Sequence, residues 1–239
     1  TGPKADYAWH TEAHDRAMTA GIDDVGLGVL FGLEGYAYEF AALLMHAEHL
    51  EAVFGVGPHT VSVPRVQPAS DIDPDQFDNG IPDEMFQKLV ALVRIAVPYT
   101  GIIVSTRESE AVRSAMLQLG VSQISGGSRT SVGGYTQPAR PRDTEQFDVS
   151  DQRALDEVVG WLMDQGHLPS FCTACYRAGR TGDRFMEFCK SGQILDYCHP
   201  NALITLAEYL SDYASPAVAQ KGWQLIDQQL ALMPEGQRQ

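Results

Sequence analysis

The chain is 239 residues long, 44% apolar and 20% charged, which makes it globular and large enough for one domain or a domain with an appendage. A formal net charge of -14 and a pI near 4.7 argue against a phosphate-backbone reader, which needs clustered Lys and Arg, so small molecules or proteins are the expected partners and nucleic acid is not. No apolar run approaches the roughly 18 residues of a membrane span and no signal-peptide pattern opens the chain, so the expectation is a cytoplasmic protein with no membrane partner.

Residues 5 to 20 read as a helix on Tyr7, Trp9, Ala13, Ala17 and Met18, ending at Gly21, and DDVGLGVLFG supplies a buried strand. A helix from about Tyr38 to Phe54 precedes the strand HTVSVPR and a long acidic loop. The helix EMFQKLVALVRIAV follows, with Asp83 and Glu84 in its first turn after Pro82. GIIVS is the next strand, Glu108 to Leu119 the next helix, and VSQIS the fourth strand, before the glycine-rich loop GGSRTSVGGY. Four helix-strand units of these lengths predict a parallel sheet covered by helices. They amount to the second half of a (β/α)8 TIM-type barrel, residues 1–136. The chain opens at Thr1 within that rhythm, and a half barrel has open edges, so the expectation is a C-terminal fragment or a chain completed by another polypeptide, an N-terminal barrel half.

Residues 137–150, QPARPRDTEQFDVS, read as a linker. From 151 to 239 the pattern is helical only: Asp151 to Gln165, Thr181 to Lys190, Asn201 to Tyr213 and Pro216 to Met233 form a small all-helical domain. Three of its cysteines, Cys172, Cys175 and Cys198, are spaced C-x2-C-x22-C. Cysteines packed this closely in a chain this long point to metal ligation in a reducing compartment rather than to a disulfide framework. Three converging thiolates hold a four-iron cluster and leave one iron without a protein ligand. The alternative uses Cys189 as well, C-x2-C-x13-C-x8-C, and closes a tetrahedral structural zinc. Cys189 falls four residues after Phe185 on the apolar face of a short helix, where a thiol packs as a small hydrophobe, whereas Cys198 precedes His199 and Pro200 at an expected helix start. The spacing therefore favours three ligands. Arg177, Arg180 and Arg184 in YRAGRTGDR are either a solvated turn or charge compensation for an anionic cluster.

TACYRAGRTGDRFM, the x22 spacing and CHPNALITLAEYLSDYA together resemble the C-terminal iron-sulfur domain of the radical SAM tyrosine lyases that mature [FeFe]-hydrogenase. GIDDVGLGVLFGL, LLMHAEHLEAVFGVGPHTVSVPRVQPA and QISGGSRTSVGGY resemble the second half of the same family's barrel, so nearly the whole chain is covered. The thiamine-pathway tyrosine lyases are similar in the barrel but lack the C-terminal cysteine motif. The resemblance implies a lyase that uses S-adenosylmethionine and a first [4Fe-4S] cluster to cleave tyrosine into p-cresol and dehydroglycine, the source of CO and cyanide. It also implies an auxiliary [4Fe-4S] cluster on Cys172, Cys175 and Cys198 that carries a labile iron, on which an Fe(CO)2(CN)cysteine unit is assembled for other hydrogenase maturation proteins. The first cluster's C-x3-C-x2-C triplet is absent from this sequence, so the chain alone is not expected to cleave S-adenosylmethionine. Its absence leaves room for a scaffold that receives diatomic ligands from a separate radical subunit.

His46 and His49 share a helix face and could meet one metal; in the resembling family a histidine ligates the labile iron, and His49 is the expected one. Arg107, just past GIIVST, stands where barrel enzymes build their sites, and its planar fork suits an amino acid carboxylate, with Ser125 as partner. Arg129 in the glycine-rich loop and Arg65 at the end of SVPR are further substrate-binding candidates. Asp71, Asp73, Asp75 and Asp78 imitate a calcium loop, but Gln76 and Pro82 stand where Gly and Glu are needed, so this is read as a solvated loop.

Overall fold

The protein is described by a computed structural model over residues 2, 5–69, 73–136 and 147–233. The expected opening helix is two: α1, Tyr7–Thr11, and α2, Ala13–Thr19. The break has a local cause, since the Arg16 guanidinium takes the Trp9 carbonyl that helix continuation would use and stacks 3.6 Å from the Trp9 ring centre. The chain then alternates through β1 (Gly26–Gly28), α3 (Tyr36–Phe54), β2 (Thr60–Ser62), α4 (Asp83–Ala96), β3 (Gly101–Val104), α5 (Glu110–Gln118) and β4 (Gln123–Ile124). Local chemistry sets several of these ends. Gly55 closes α3 in the left-handed conformation at φ +73°, and the Ser109 hydroxyl caps α5 by accepting from the Val112 amide.

The four strands form one parallel sheet in the order β1-β2-β3-β4. Its two faces differ in kind. Leu27, Val61, Ile102 and Val104 are buried against Leu50 of α3, Phe86, Val90 and Val93 of α4 and Met116 of α5, and this is the main core. The other face carries small and polar residues: Gly26 pairs with Thr60 and Thr60 with Gly101, and in the next row Gly28, Ser62, Ile103 and Gln123 align. A side chain at Gly26 would meet the Thr60 hydroxyl at 2.6 Å, and one at Gly101 the Gln123 amide at 2.7 Å, so the glycines make room for their neighbours.

The second half of the chain is helical, as expected: α6 (Leu155–Asp164), α7 (Ala174–Arg177), α8 (Gly182–Ser191), α9 (Leu195–Asp212) and α10 (Pro216–Leu232). α6, α9 and α10 share a core of Val159, Met163, Leu203, Leu206, Leu210 and Ile226, and Gly222 lets α10 lie directly on Leu210. Two boundaries depart from the sequence reading. α7 is a four-residue turn that no periodicity announced, and α9 starts six residues before Asn201. Its first turn closes through Cys198 N–H to the Ile194 carbonyl at 2.9 Å, which places Cys198 and Pro200 inside the helix rather than at its threshold.

Most of the expected linker, residues 137–146, lies outside the described residues. Its last part is not loose: Asp148 N–H bonds the Pro68 carbonyl at 2.8 Å, and the Thr130 hydroxyl bonds the Phe147 carbonyl at 2.9 Å. Beyond it, α6 packs Val158, Trp161 and Leu162 on Leu117 and Ile124, so the β4 side of the sheet is covered. Arg113, 0% exposed, anchors this seam by donating to the Asp151 carboxylate and the Ser125 carbonyl, while Arg153 grips the same carboxylate at 2.6 and 2.9 Å. Among the described residues no helix is long and apolar enough to cross a membrane.

Truncating either member of a buried, multiply bonded ion pair strands the other, so Arg113→Ala or Asp151→Ala is expected to cost about 3–5 kcal/mol in urea unfolding. Burial pushes the Asp151 carboxyl up, but the Arg153 hydrogen bond and the Arg113 charge outweigh it and hold it below the ordinary carboxylate value. Its contribution is therefore complete at neutral pH and is lost only as pH falls below about 4 and through the lower folded value. Asp151→Asn, lacking that contribution throughout, is expected to show a flatter dependence of stability on acid.

Candidate metal centre

The thiol-bearing segment is held in place by bonds to the rest of the fold rather than by a core of its own. α7 buries no residue and α8 only Gly182 and Met186. At its start, the Phe171 amide donates to the Thr205 hydroxyl of α9 at 3.2 Å, and the Phe171 ring stacks on Tyr209 at 4.9 Å. Cys172 follows, its sulfur accepting from the Ala174 amide at 3.4 Å, and Cys175 lies on α7, its carbonyl accepting from the Arg180 amide at 2.9 Å. This is a tight turn with amides directed at sulfur and carbonyl, an arrangement that suits a thiolate.

The segment docks against the amino ends of the strands. The Thr181 hydroxyl bonds Asp23 at 2.9 Å and the Gly182 amide bonds Asp24 at 3.2 Å, both aspartates lying just before β1. Gly182 has φ +57°, and a side chain there would meet Asp23 atoms at 3.0–3.3 Å, so the position requires glycine on both counts. Phe185 of α8 stacks on His59, at the start of β2, with ring centres 4.2 Å apart, and Tyr176 lies 6.1 Å from the same imidazole. The His59 Nδ1 is 3.4 Å from Asp24 Oδ1. Lys190 pairs with Glu51 of α3 and sits 4.7 Å over the Tyr99 ring.

All four thiols are free; Cys198 lies within electrostatic reach of Cys172, Cys175 and Cys189, and Cys189 within that of Cys175. Burial, then Cys175 and Cys172, pushes the Cys198 thiol up, while Arg180 pulls it down. Burial, then Cys198, Cys175 and Asp24, pushes Cys189 up to about 11. Among the described residues no three His, Cys, Asp or Glu side chains converge closely enough to hold an ion. The donor set nonetheless fits a soft metal centre. It consists of thiols only, its turn supplies an amide to sulfur, and the Arg180 Nε is buried without a hydrogen-bond partner, as a cation awaiting an anion would be. Burial disfavours, at Cys189, the thiolate form that metals bind.

The histidines divide differently from the sequence reading. His49 Nε2 is held by Asp15 of α2 at 2.6 Å, in a cluster where His46 meets His14 edge-on with ring centres 5.0 Å apart. His59, which sequence reasoning passed over as a strand residue, is the imidazole that touches the cysteine segment.

The other candidates lie at the carboxyl ends of the strands. Arg65 is committed to protein partners, pairing with Glu108, with Asp83 at 2.8 Å and with the Ile81 carbonyl at 3.1 Å. It lines a cavity of about 490 Å³ together with Phe31, Val66, Gly80 and Pro82. Among the described residues Arg107 makes no ion pair; its guanidinium lies 3.6 Å from the Phe147 ring centre and reaches the Arg65 carbonyl at 3.5 Å. Ser125 gives its carbonyl to Arg113, and its hydroxyl makes no hydrogen bond among the described residues. Arg129 is exposed and bonds the carbonyl of its own neighbour, Ser128. Of the aspartate loop, Asp71 lies outside the described residues, and Asp73 caps the short turn Pro74–Gln76 by accepting from the Asp75 amide at 3.0 Å.

Comparison with known proteins places this geometry in context. The Biotin and Thiamin Synthesis associated domain matches residues 62–168, ending just before Cys172. The 2-iminoacetate synthases of Escherichia coli (strain K12) and Salmonella typhimurium (strain LT2) are 30% and 29% identical over 170 residues, 70% of this chain and 44% of each relative. Two solved structures match 100% of the chain, cysteine segment included. The crystal structure of HydG, a maturase of the [FeFe]-hydrogenase, has 53% identity and a TM-score of 0.94 over 52% of its length. The X-ray structure of the FeFe-hydrogenase maturase HydG from Carboxydothermus hydrogenoformans has 42% identity and a TM-score of 0.80 over 51%. The chain thus spans about half the length of these relatives.

A thiol titrating near 11 is only about one-thousandth thiolate at pH 8, so in the metal-free chain Cys189 is expected to be the slowest of the four cysteines to react with iodoacetamide. Raising the pH to 10 should accelerate that site by about a hundredfold, a ratio read directly from site-resolved mass spectrometry.

Proposed function

Because the chain belongs to the family of the [FeFe]-hydrogenase maturase HydG and corresponds to that protein's C-terminal part, we propose that it is the assembly half of a radical SAM tyrosine lyase, acting with an N-terminal half that carries the radical cluster. Residues 1–136 are then the second half of a (β/α)8 barrel, 137–150 a connection, and 151–239 a helical auxiliary-cluster domain. The observation that carries this reading is the C-x2-C-x22-C segment itself. It lies beyond the Biotin and Thiamin Synthesis associated match and inside the region shared with HydG.

Cys172, Cys175 and Cys198 are the ligands of an auxiliary [4Fe-4S] cluster, which when bound supplies an iron site free of protein thiolate for building an iron unit with CO and cyanide. For the labile iron's histidine, the contacts favour His59 over His49. His59 lies against the cysteine segment, its Nδ1 3.4 Å from Asp24 and without a hydrogen-bond partner, while the Nε2 of His49 is taken by Asp15. At the opposite ends of the strands, Arg107 and the Ser125 hydroxyl are the groups left to receive the tyrosine carboxylate. Arg65 holds the site's frame through Glu108 and Asp83, and Arg129 adds charge from the loop. Between the two ends lies the sheet face of Gly26, Thr60, Gly101, Gly28 and Ser62, narrow in side chain and open to a small product.

A structural zinc on all four thiols is the second reading, and it is favoured by one observation, the proximity of Cys189 to Cys198 and Cys175. Anaerobic reconstitution with iron and sulfide followed by EPR of the reduced protein separates the two. The expected result is a cluster signal in the wild type and in Cys189→Ser, and none in Cys172→Ser, Cys175→Ser or Cys198→Ser. One zinc per chain that Cys189→Ser abolishes, with no iron signal, would sink the cluster reading. Supplied with tyrosine and S-adenosylmethionine, the chain alone is expected to yield no p-cresol, by chromatography, until an N-terminal half is added.

A further inference from the structure

Of the three arginines in YRAGRTGDR, one differs from the others. Arg177 and Arg184 are exposed, whereas Arg180 is half-buried. Its backbone amide holds the Cys175 carbonyl at 2.9 Å, and its guanidinium carbon lies 4.6 Å from the ring centre of Tyr197, the residue before Cys198. Arg180 is thus fixed at both ends of the thiol set, and its positive field reaches the Cys198 sulfur. Stacking on Tyr197 explains where the guanidinium plane lies but leaves the Nε proton unused: it is buried with no acceptor. A buried donor on a permanent cation is costly when unpaired, and the Cys198 sulfur within its field would become an anion on binding metal.

We propose that Arg180 is a positioning residue for the thiolate-held centre, its half-buried guanidinium offsetting part of the centre's negative charge and thereby setting its reduction potential. The inference rests on the reading of Cys172, Cys175 and Cys198 as cluster ligands. The physical basis is that a cluster's potential follows its net charge and the hydrogen bonds to its sulfurs. Reduction adds an electron, so a nearby cation favours the reduced state, and its removal lowers the potential. The exposed Arg177 and Arg184 are screened by water and contribute little.

Redox titration of the reconstituted chain, followed by EPR, tests this with three variants. Arg180→Gln is expected to lower the ratio of reduced to oxidised cluster about tenfold at a fixed potential, about 59 mV for one electron. Arg184→Gln should leave it unchanged, and Arg180→Lys, which keeps the charge, should recover most of the shift. If the wild type loads no cluster, the ligand reading fails and takes this inference with it. If clusters load and Arg180→Gln titrates as the wild type does, the inference alone is overturned. An equal shift in Arg180→Lys and Arg180→Gln, or loss of the cluster in both, would assign Arg180 a packing role and also overturn it; loading in the Lys variant but not the Gln variant would support the charge.

Discussion

The placement of the segment from Cys172 to Cys198 depends on how it is tied to the amino ends of the strands. Asp23 and Asp24 receive Thr181 and Gly182, His59 receives Phe185, and Glu51 receives Lys190. None of these contacts is large. Individually, exposed pairs of this kind contribute little, but here they act together on a segment with almost no buried apolar surface. They fix which end of the sheet the thiols face. Arg107 and Ser125 lie at the other end, the length of the strands away.

The sheet itself accommodates that separation. The branched aliphatic side chains of the strands lie on the helix-covered face, Ile103 excepted. The opposite face gives Gly, Thr, Ser and Gln at neighbouring registers, with glycines placed where the next strand's polar side chain needs the space. Stability therefore comes from one side of the sheet and from the Arg113–Asp151 seam, leaving the other side free of packing duties. A fold arranged this way spends little of its core on the face where chemistry would pass.

The alternation of elements, the parallel sheet and the helical second half were legible in the sequence, because period and glycine placement are local signals. The cysteine spacing was legible too. What escaped was whatever depends on distant partners. Nothing local marks Arg113 as the buried cation of the molecule, since its acid, Asp151, is 38 residues away across the expected linker. His59 reads as the first residue of a strand, and only the docking of α8 turns it into a neighbour of the thiols. Conversely, His49 looked available by helix spacing until Asp15, on a helix the sequence had run together with α1, claimed its Nε2. Arg65, at a strand end like Arg107, could not be told from it until Glu108 and Asp83 were seen to hold it.

The same accounting bears on what a metal would do for the fold. Between Phe171 and α9 the chain has a four-residue turn, a glycine-started helix and, at Cys189, a thiol that burial pushes up to about 11. Small metal-binding segments of this kind commonly draw their order from the ligands rather than from a hydrophobic core. Binding would release the thiol protons and hold the resulting thiolates by shared attraction to one centre. Cys198 is already on the first turn of α9, whose far half is built into the core through Leu206, Tyr209 and Leu210. A centre joining Cys172 and Cys175 to Cys198 would therefore tie that turn to a helix built into the domain core. Metal binding and local folding become one equilibrium, and the contacts at Asp23, Asp24 and His59 decide where that equilibrium is placed.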